Sequence, residues 1–279
     1  MNEQVVLQKL KEWAEKTESV RALILTSSRV SSEAVVDIFS DYDVEMYVTS
    51  LKEFDSDDWL DTFGEILVKW PKKPSSTGFR DDHWITRLVM FEGRLRIDFQ
   101  ITDHKEIDSS AYDSGYQVII DKDGMTTNIS EPTHTEHLVK KPTKEEFLTL
   151  VNDFFWDGTY VPKYLWRGSL FFAKRMFASS HFEYFETMIK WYIGSKNNWN
   201  VNVGAFGKYF EKYLDKETWE EIKHTYAGAD TEENWTAFFK LFELFTRFAR
   251  DVSDDLGYNY PLEQEKKLRD YLHESKNIK

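Results

Sequence analysis

The chain has 279 residues, of which 41% are hydrophobic and 16% aromatic, so it can form one large domain or two ordinary ones. Its 36 Lys and Arg against 49 Asp and Glu give a net charge of −13, which disfavours nucleic acid and anionic membranes as partners and attracts cations. The absence of cysteine excludes disulfides, thiolate metal ligands and a thiol nucleophile.

The first half of the chain alternates predicted helices and strands. The N-terminus mixes both charge signs without an apolar core, which indicates a cytoplasmic protein without a signal peptide. Apolar residues at helical spacing predict an amphipathic helix over residues 3–16, and the apolar run VRALILT predicts a buried strand over 20–26. Residues 41–48, DYDVEMYV, alternate polar and apolar side chains, which predicts a strand with one solvent-exposed polar face.

A helix and a hairpin are predicted next. Residues 56–67 begin with Asp and place apolar residues on one face, which is typical of a helix. WITRLVMF and RLRIDFQI, separated by a Glu-Gly pair, give the clearest hairpin signal in the chain. Asp98 projects from the polar face of the second strand, which we expect to neighbour the strand of residues 41–48.

The second half has a helical pattern. A capping box of Thr143 and Glu146 starts it, and further helices are predicted at about 160–178, 181–196, 204–214, 215–227, 231–255 and 261–275. The sequence therefore predicts an α+β module over residues 1–138 and an all-α module over residues 139–279.

Two carboxylates stand two residues apart at the start of the 41–48 strand. Asp41 and Asp43 point to the same face, so their repulsion must be offset. With Asp98 on a nearby strand they would form a cage of hard oxygen ligands that suits Mg²⁺, and such ions can activate a hydroxyl and stabilise departing pyrophosphate. Taken alone, however, a D-x-D pattern more often marks an exposed polar strand face.

The sequence Ser-Ser-Arg at 27–29 favours the metal interpretation. It follows a buried strand, and a tight turn with hydroxyls, backbone N–H groups and an Arg can hold a triphosphate. A small-residue turn, then D-x-D on the next strand, then a later single Asp is the nucleotidyltransferase arrangement.

These motifs together resemble the aminoglycoside 6-adenylyltransferases, the streptomycin-resistance family. That family has G-S-R, D-Y-D and a third Asp in an L-D-L-like strand, where this chain has S-S-R, D-Y-D and R-I-D-F. Its second half has Y-V-x-K-x-L-x-R and Y-K-Y-P-like elements, which resemble YVPKYLWR at 160–167 and YNYP at 258–261. The resemblance implies a nucleotidyltransferase-type mixed sheet with flanking helices and a helical-bundle domain that closes the cleft. It also implies ATP-dependent transfer of AMP to a hydroxyl of streptomycin.

The resemblance also implies roles for individual residues. Ser28 and Arg29 are expected to contact the triphosphate of ATP. Asp41 and Asp43 are expected to hold Mg²⁺. Asp98 is expected to be the third carboxylate, either as a metal ligand or as the base that takes the proton of the substrate.

Cations in the second half are candidates for neutralising the polyphosphate. Lys163 is assigned this role by the resemblance, and Arg167 lies one helical turn away on the same predicted helix. Cations on a helix usually face solvent, and this is our expectation for Lys174.

Ser27 is the departure from the family pattern, because the family has Gly there. If this position of the triphosphate-binding turn needs a positive φ, Ser costs about 1–2 kcal/mol in strain and crowds the phosphates. Two alternatives therefore stay open beside AMP transfer to streptomycin. One is nucleotidyl transfer to another acceptor, such as a lincosamide or a protein hydroxyl. The other is a weakened family member that binds nucleotide or drug without turnover.

Overall fold

The chain forms two compact units. The computed structural model describes residues 2–31, 34–72 and 82–278. It divides into Met1–Glu136 and His137–Lys279, two residues from the division predicted after residue 138. Among the described residues, none of the helices has the length and apolar character needed to span a membrane.

The first unit is a six-stranded mixed sheet with a helix before it. Its elements are α1 (Glu3–Lys16), β1 (Val20–Thr26), β2 (Tyr42–Val48), β3 (Ile66–Trp70), β4 (Trp84–Phe91), β5 (Leu95–Thr102) and β6 (Gln117–Asp121). The strand order is β3-β4-β5-β2-β1-β6, and β2–β5 is the parallel pair among antiparallel neighbours. The predicted mixed sheet and the hairpin of β4 and β5 are confirmed.

Apolar side chains of α1 and the strands form the main core on one face of the sheet. Val6, Leu10 and Ala14 of α1 are buried, and they share one cluster with Val44 of β2 and Phe99 of β5. Because strand side chains alternate between faces, the three aspartates, which alternate with Val44 and Phe99, point to the opposite face.

The opposite face is not the exposed polar surface that the alternation predicts. Glu45 and Asp98 are only 6% and 7% exposed. A smaller cluster that includes Ile24, Tyr47 and Tyr112 covers part of this face, and the Tyr112 hydroxyl donates to Glu45 at 2.5 Å. A segment after β5 thus buries side chains that strand alternation assigned to solvent.

The predicted helix at 56–67 is wrong. Asp58–Thr62 forms only a 3₁₀ turn, and Ile66 begins the edge strand β3, which pairs with β4. Gly64 lies between them with φ 156°, a conformation outside the helical region, so the helix cannot continue. The apolar residues Leu60 and Phe63 still pack into the main core.

The second unit is helical, as predicted. Its helices are α2 (Lys144–Gly158), α3 (Tyr160–Trp166), α4 (Leu170–Ser179), α5 (Glu186–Lys196), α6 (Phe210–Tyr213), α7 (Lys216–Lys223), α8 (Thr231–Leu256) and α9 (Leu262–Asn277). The predicted capping box of Thr143 and Glu146 starts α2. Phe154 of α2 stacks on Phe245 of α8 in the aromatic-rich core.

Two predicted helices are interrupted by backbone with positive φ. The helix at 160–178 is divided into α3 and α4 at Gly168, whose φ is 65°. The helix at 204–214 is reduced to α6, since Gly204, Phe206 and Gly207 have positive φ. Backbone in the left-handed region ends the helical hydrogen-bond ladder at both places.

Lys174 does not face solvent as expected. Its ammonium group donates to Ala227 O at 2.7 Å, Gly228 O at 3.2 Å and Asn234 Oδ1 at 3.0 Å. It therefore links α4 to the loop that precedes α8.

Candidate active site

Three aspartates of the first unit come together on β2 and β5. In the parallel pair of these strands, Asp43 lies opposite Asp98, and Asp41 precedes β2 on the same face. One carboxylate oxygen from each lies within 4.8 Å of the others. The predicted neighbourhood of the D-x-D strand and the Asp98 strand is confirmed by this pairing.

A guanidinium group lies against these carboxylates. Arg96 donates from Nε to Asp98 Oδ1 at 2.9 Å and from Nη2 to Asp98 Oδ2 at 2.6 Å, and its Nε lies 3.6 Å from Asp41 Oδ2. The Arg96 pKa is raised, first by the hydrogen bond to Asp98. Our sequence analysis missed this residue. Its position two residues before Asp98 on the same strand face was the available signal.

The carboxyl group of Asp43 has a perturbed pKa. Its pKa is raised to about 6, first by burial and then by the charge of Asp41, with Asp98 adding to the effect. The nearby Ser27 hydroxyl and the charge of Arg96 oppose the rise in pKa. The protein therefore holds three carboxyl groups closer together than their charges favour.

The Ser27–Arg29 turn follows β1 beside the carboxylates. Thr26, the last residue of β1, pairs with Asp43 of β2. The turn that follows Thr26 therefore lies at the end of the sheet that carries Asp43. Ser27 has φ 65°, so the positive φ considered for this position is present. The hydroxyl of Ser27 interacts with the Asp43 carboxyl group and lowers its pKa. Ser28 lies in the same turn and is half-buried.

Arg29 makes structural contacts in this turn. Its guanidinium donates to Asp41 O at 2.8 Å, Ser40 O at 2.6 Å and the Glu3 carboxylate at 3.0 Å, and it lies 3.7 Å from the centre of the Tyr42 ring. These contacts fix the backbone that carries Asp41 into β2. A contact of Arg29 with a triphosphate stays a prediction.

Lys163 and Arg167 belong to the second unit. Both side chains are exposed on or just after α3, with their cationic groups 5.4 and 5.5 Å from the centre of the Tyr164 ring. Among the described residues the structure therefore offers two accessible cations on this helix, and their contact with a polyphosphate also stays a prediction.

The donor set of the aspartate group fits a hard divalent cation. Asp41, Asp43 and Asp98 offer only carboxylate oxygens, the ligand type that Mg²⁺ prefers. The raised pKa of Asp43 indicates that an added positive charge would stabilise the ionised group. These three residues are the ones that could hold such an ion.

Comparison with known proteins agrees with the geometry. Residues 1–275 match the family model described as streptomycin adenylyltransferase. The chain is 28% identical to an aminoglycoside 6-adenylyltransferase of Bacillus subtilis (strain 168) over 264 residues, 93% of each chain. It is 29% identical to one of Campylobacter jejuni over 256 residues, 91% of this chain and 89% of the relative. It is 27% identical to one of Staphylococcus aureus over 274 residues, 97% of each chain.

A solved structure shares the fold. The crystal structure of an aminoglycoside 6-adenyltransferase from Bacillus subtilis superposes with a TM-score of 0.50 at 24% identity, over the full length of both chains. The family match covers nearly the whole sequence, and the fold carries the three aspartates on adjacent strands. The chain therefore belongs to the streptomycin adenylyltransferase family and is a nucleotidyltransferase.

Proposed function

We propose that this protein transfers AMP from ATP, in a Mg²⁺-dependent reaction, to a hydroxyl group of an aminoglycoside, with streptomycin as the acceptor. The observation that carries the proposal is the register of β2 and β5, which groups Asp41, Asp43 and Asp98 in a chain of this family. The names of the relatives support an aminoglycoside acceptor, and the name of the family supports streptomycin.

The aspartates have distinct tasks in this proposal. Asp41 and Asp43 hold Mg²⁺, which supplies positive charge where negative charge develops on the phosphates. Asp98 either shares the ion or accepts the proton of the acceptor hydroxyl. The oxygen of the acceptor hydroxyl forms a bond to the α-phosphorus of ATP. The bond between the α-phosphorus and the oxygen that bridges it to the β-phosphorus breaks, and pyrophosphate leaves.

Two serines and three cationic side chains are proposed to position the triphosphate of ATP. Ser27, Ser28 and Arg29 form the turn proposed to contact the triphosphate, and Lys163 and Arg167 add positive charge. Positioning and electrostatic stabilisation are the main requirements of phosphoryl chemistry, so a site without a protein nucleophile is sufficient.

Pyrophosphate release tests the proposal. We expect release when the purified protein, MgATP and streptomycin are combined, and none without Mg²⁺ or without acceptor. A panel of other aminoglycosides and a lincosamide identifies a different acceptor. Calorimetric binding of MgATP or drug without pyrophosphate release with any acceptor would contradict transferase activity and support the binding-only alternative.

Salt is expected to weaken acceptor binding. The net charge of −13 attracts a polycationic drug, and this attraction is screened as the Debye length falls to about 8 Å at 0.15 M salt. Calorimetric titration with streptomycin at low and physiological ionic strength measures the effect, with sucrose of equal osmolarity as the uncharged control. An affinity that is independent of salt would contradict electrostatic attraction of the acceptor.

Ser27→Gly separates strain from hydrogen bonding. Gly adopts a φ of 65° without strain, which favours the change, but the variant loses the hydroxyl that lowers the pKa of Asp43. We expect tighter MgATP binding or faster turnover, with nearly unchanged thermal stability, because relief of strain and the entropy of ordering Gly oppose each other. Calorimetry and pyrophosphate release measure these effects.

Ser27→Ala is the matched control, since it removes the hydroxyl and keeps the strained φ. Unchanged ATP affinity and turnover in Ser27→Gly would remove the only observation that favours a weakened family member. Reduced activity in both variants would make the hydroxyl a functional group of the site and the strain argument wrong.

A further inference from the structure

We infer that Arg96 is the built-in counter-ion of the three aspartates, which lowers their affinity for a free divalent cation and makes cation binding depend on nucleotide. This inference rests on the proposed function for the identity of the cation and the nucleotide. It assigns a positioning role to the Arg of the R-I-D-F element, which has no role in the proposed function.

The contacts of Arg96 are specific. Both oxygens of Asp98 accept hydrogen bonds from its guanidinium, at 2.9 and 2.6 Å, and Asp41, just before the neighbouring strand β2, lies 3.6 Å away. Asp98 is 7% exposed, whereas the Arg96 side chain is 42% exposed, so solvent screens this ion pair from the arginine side. A planar guanidinium fork that engages both carboxylate oxygens also fixes the orientation of Asp98.

Arg96 occupies the position from which it affects all three carboxylates. It precedes Asp98 by two residues on the same face of β5, and its charge lowers the pKa of Asp43. The other arginine beside this group, Arg29, directs its donors to two backbone carbonyls and to Glu3 instead. The guanidinium of Arg96 therefore offsets the repulsion among the aspartates.

This charge has opposite effects on two ligands. A free divalent cation that approaches the aspartates is repelled by the guanidinium and must share Asp98 with it. A nucleotide triphosphate carries several negative charges, so its complex with the cation is attracted by the same group. Arg96 consequently disfavours the cation alone and favours the cation together with its nucleotide.

The test compares Arg96→Gln with Arg94→Gln in the full-length protein. Arg94 lies on the exposed turn between β4 and β5, so its substitution changes the net charge equally at a position outside the aspartate group. Binding of Mn²⁺ without nucleotide is measured from the electron paramagnetic resonance signal of the free ion. Binding of a non-hydrolysable ATP analogue with Mg²⁺ is measured by calorimetry.

We expect Arg96→Gln to bind Mn²⁺ alone about 10-fold more tightly and the nucleotide complex about 10-fold more weakly, while Arg94→Gln changes neither affinity. Arg96→Lys retains the charge and should stay close to wild type for Mn²⁺. A merely structural role of Arg96 would weaken both affinities together, and that result overturns the inference.

Unchanged or weaker Mn²⁺ binding in Arg96→Gln also overturns it. If the glutamine variant does not fold, the lysine variant decides, because tighter Mn²⁺ binding with the charge retained would contradict the role of the charge. Neither measurement needs turnover. If the wild-type protein releases no pyrophosphate, the proposed function is contradicted. The Mn²⁺ measurement would still test the role of Arg96.

Discussion

Asp43→Asn is expected to abolish AMP transfer and, in the same protein without metal, to raise stability. The carboxylate is one of the two proposed Mg²⁺ ligands of the D-x-D strand, and an amide is a much weaker ligand for a hard cation. Asp41→Asn should abolish transfer for the same reason while the protein stays folded. Pyrophosphate release at saturating Mg²⁺ measures the loss of activity.

The gain in stability follows from the pKa of Asp43. The folded-state pKa of about 6 lies above the ordinary value of 3.8, so the native state binds more protons than the unfolded state between these values. Stability therefore falls as the pH rises from about 4 to 6. The full penalty, on the order of 3 kcal/mol, is present above pH 6. Asn carries no charge and avoids this penalty.

Thermal unfolding of the metal-free proteins checks the sign. Asp43→Asn should unfold at a higher temperature than wild type at pH 7–8, and the difference should disappear near pH 4. Asp61→Asn, at an exposed position in the 3₁₀ turn, is the matched control with no expected effect on turnover. Near-normal turnover of Asp43→Asn with saturating Mg²⁺ would contradict the assignment of Asp43 as a metal ligand.

Asp98→Asn is expected to lower turnover by roughly 10²–10⁴-fold while the affinity for MgATP stays nearly intact, if Asp98 is the general base. The amide cannot accept the proton of the acceptor hydroxyl, but Asp41 and Asp43 remain to hold the cation. Steady-state kinetics and calorimetry with MgATP give the two quantities separately.

The pair of measurements distinguishes the roles of Asp98. A large loss of MgATP affinity would identify it as a metal ligand, and unchanged turnover would remove it from the site. Arg96→Gln serves as the companion variant. It keeps the Asp98 carboxylate but loses the guanidinium that orients it, so we expect a smaller loss of turnover than in Asp98→Asn.

The parts of the fold that repeat a local pattern could be predicted from the sequence. The alternation of polar and apolar residues predicted the hairpin of β4 and β5. The capping box of Thr143 and Glu146 predicted the start of α2. The helix predicted over residues 56–67 failed because apolar spacing alone does not distinguish a helix from a 3₁₀ turn followed by an edge strand. The single Gly64 conformation decides between them.

The three carboxylates of the candidate site could be predicted from the sequence, but the side chains that contact them could not. The three aspartates follow from motif and alternation, and their proximity is confirmed. The burial of Glu45 depends on Tyr112, which approaches from 67 residues away in the chain, so no local pattern contains it. The effect of Ser27 on the pKa of Asp43 likewise depends on the register of β1 and β2.

The parallel pairing of β2 and β5 has a consequence for the order of folding events. Asp43 and Asp98 are distant in sequence and meet only when a long chain loop closes, so their repulsion is absent from the unfolded chain. If this pairing forms after the rate-limiting step, the repulsion acts almost entirely on the unfolding rate. Neutralising the cluster would then lengthen the lifetime of the native state without making the chain fold faster. The aspartates that are proposed to bind the metal ion would then also limit the lifetime of the native, metal-free protein.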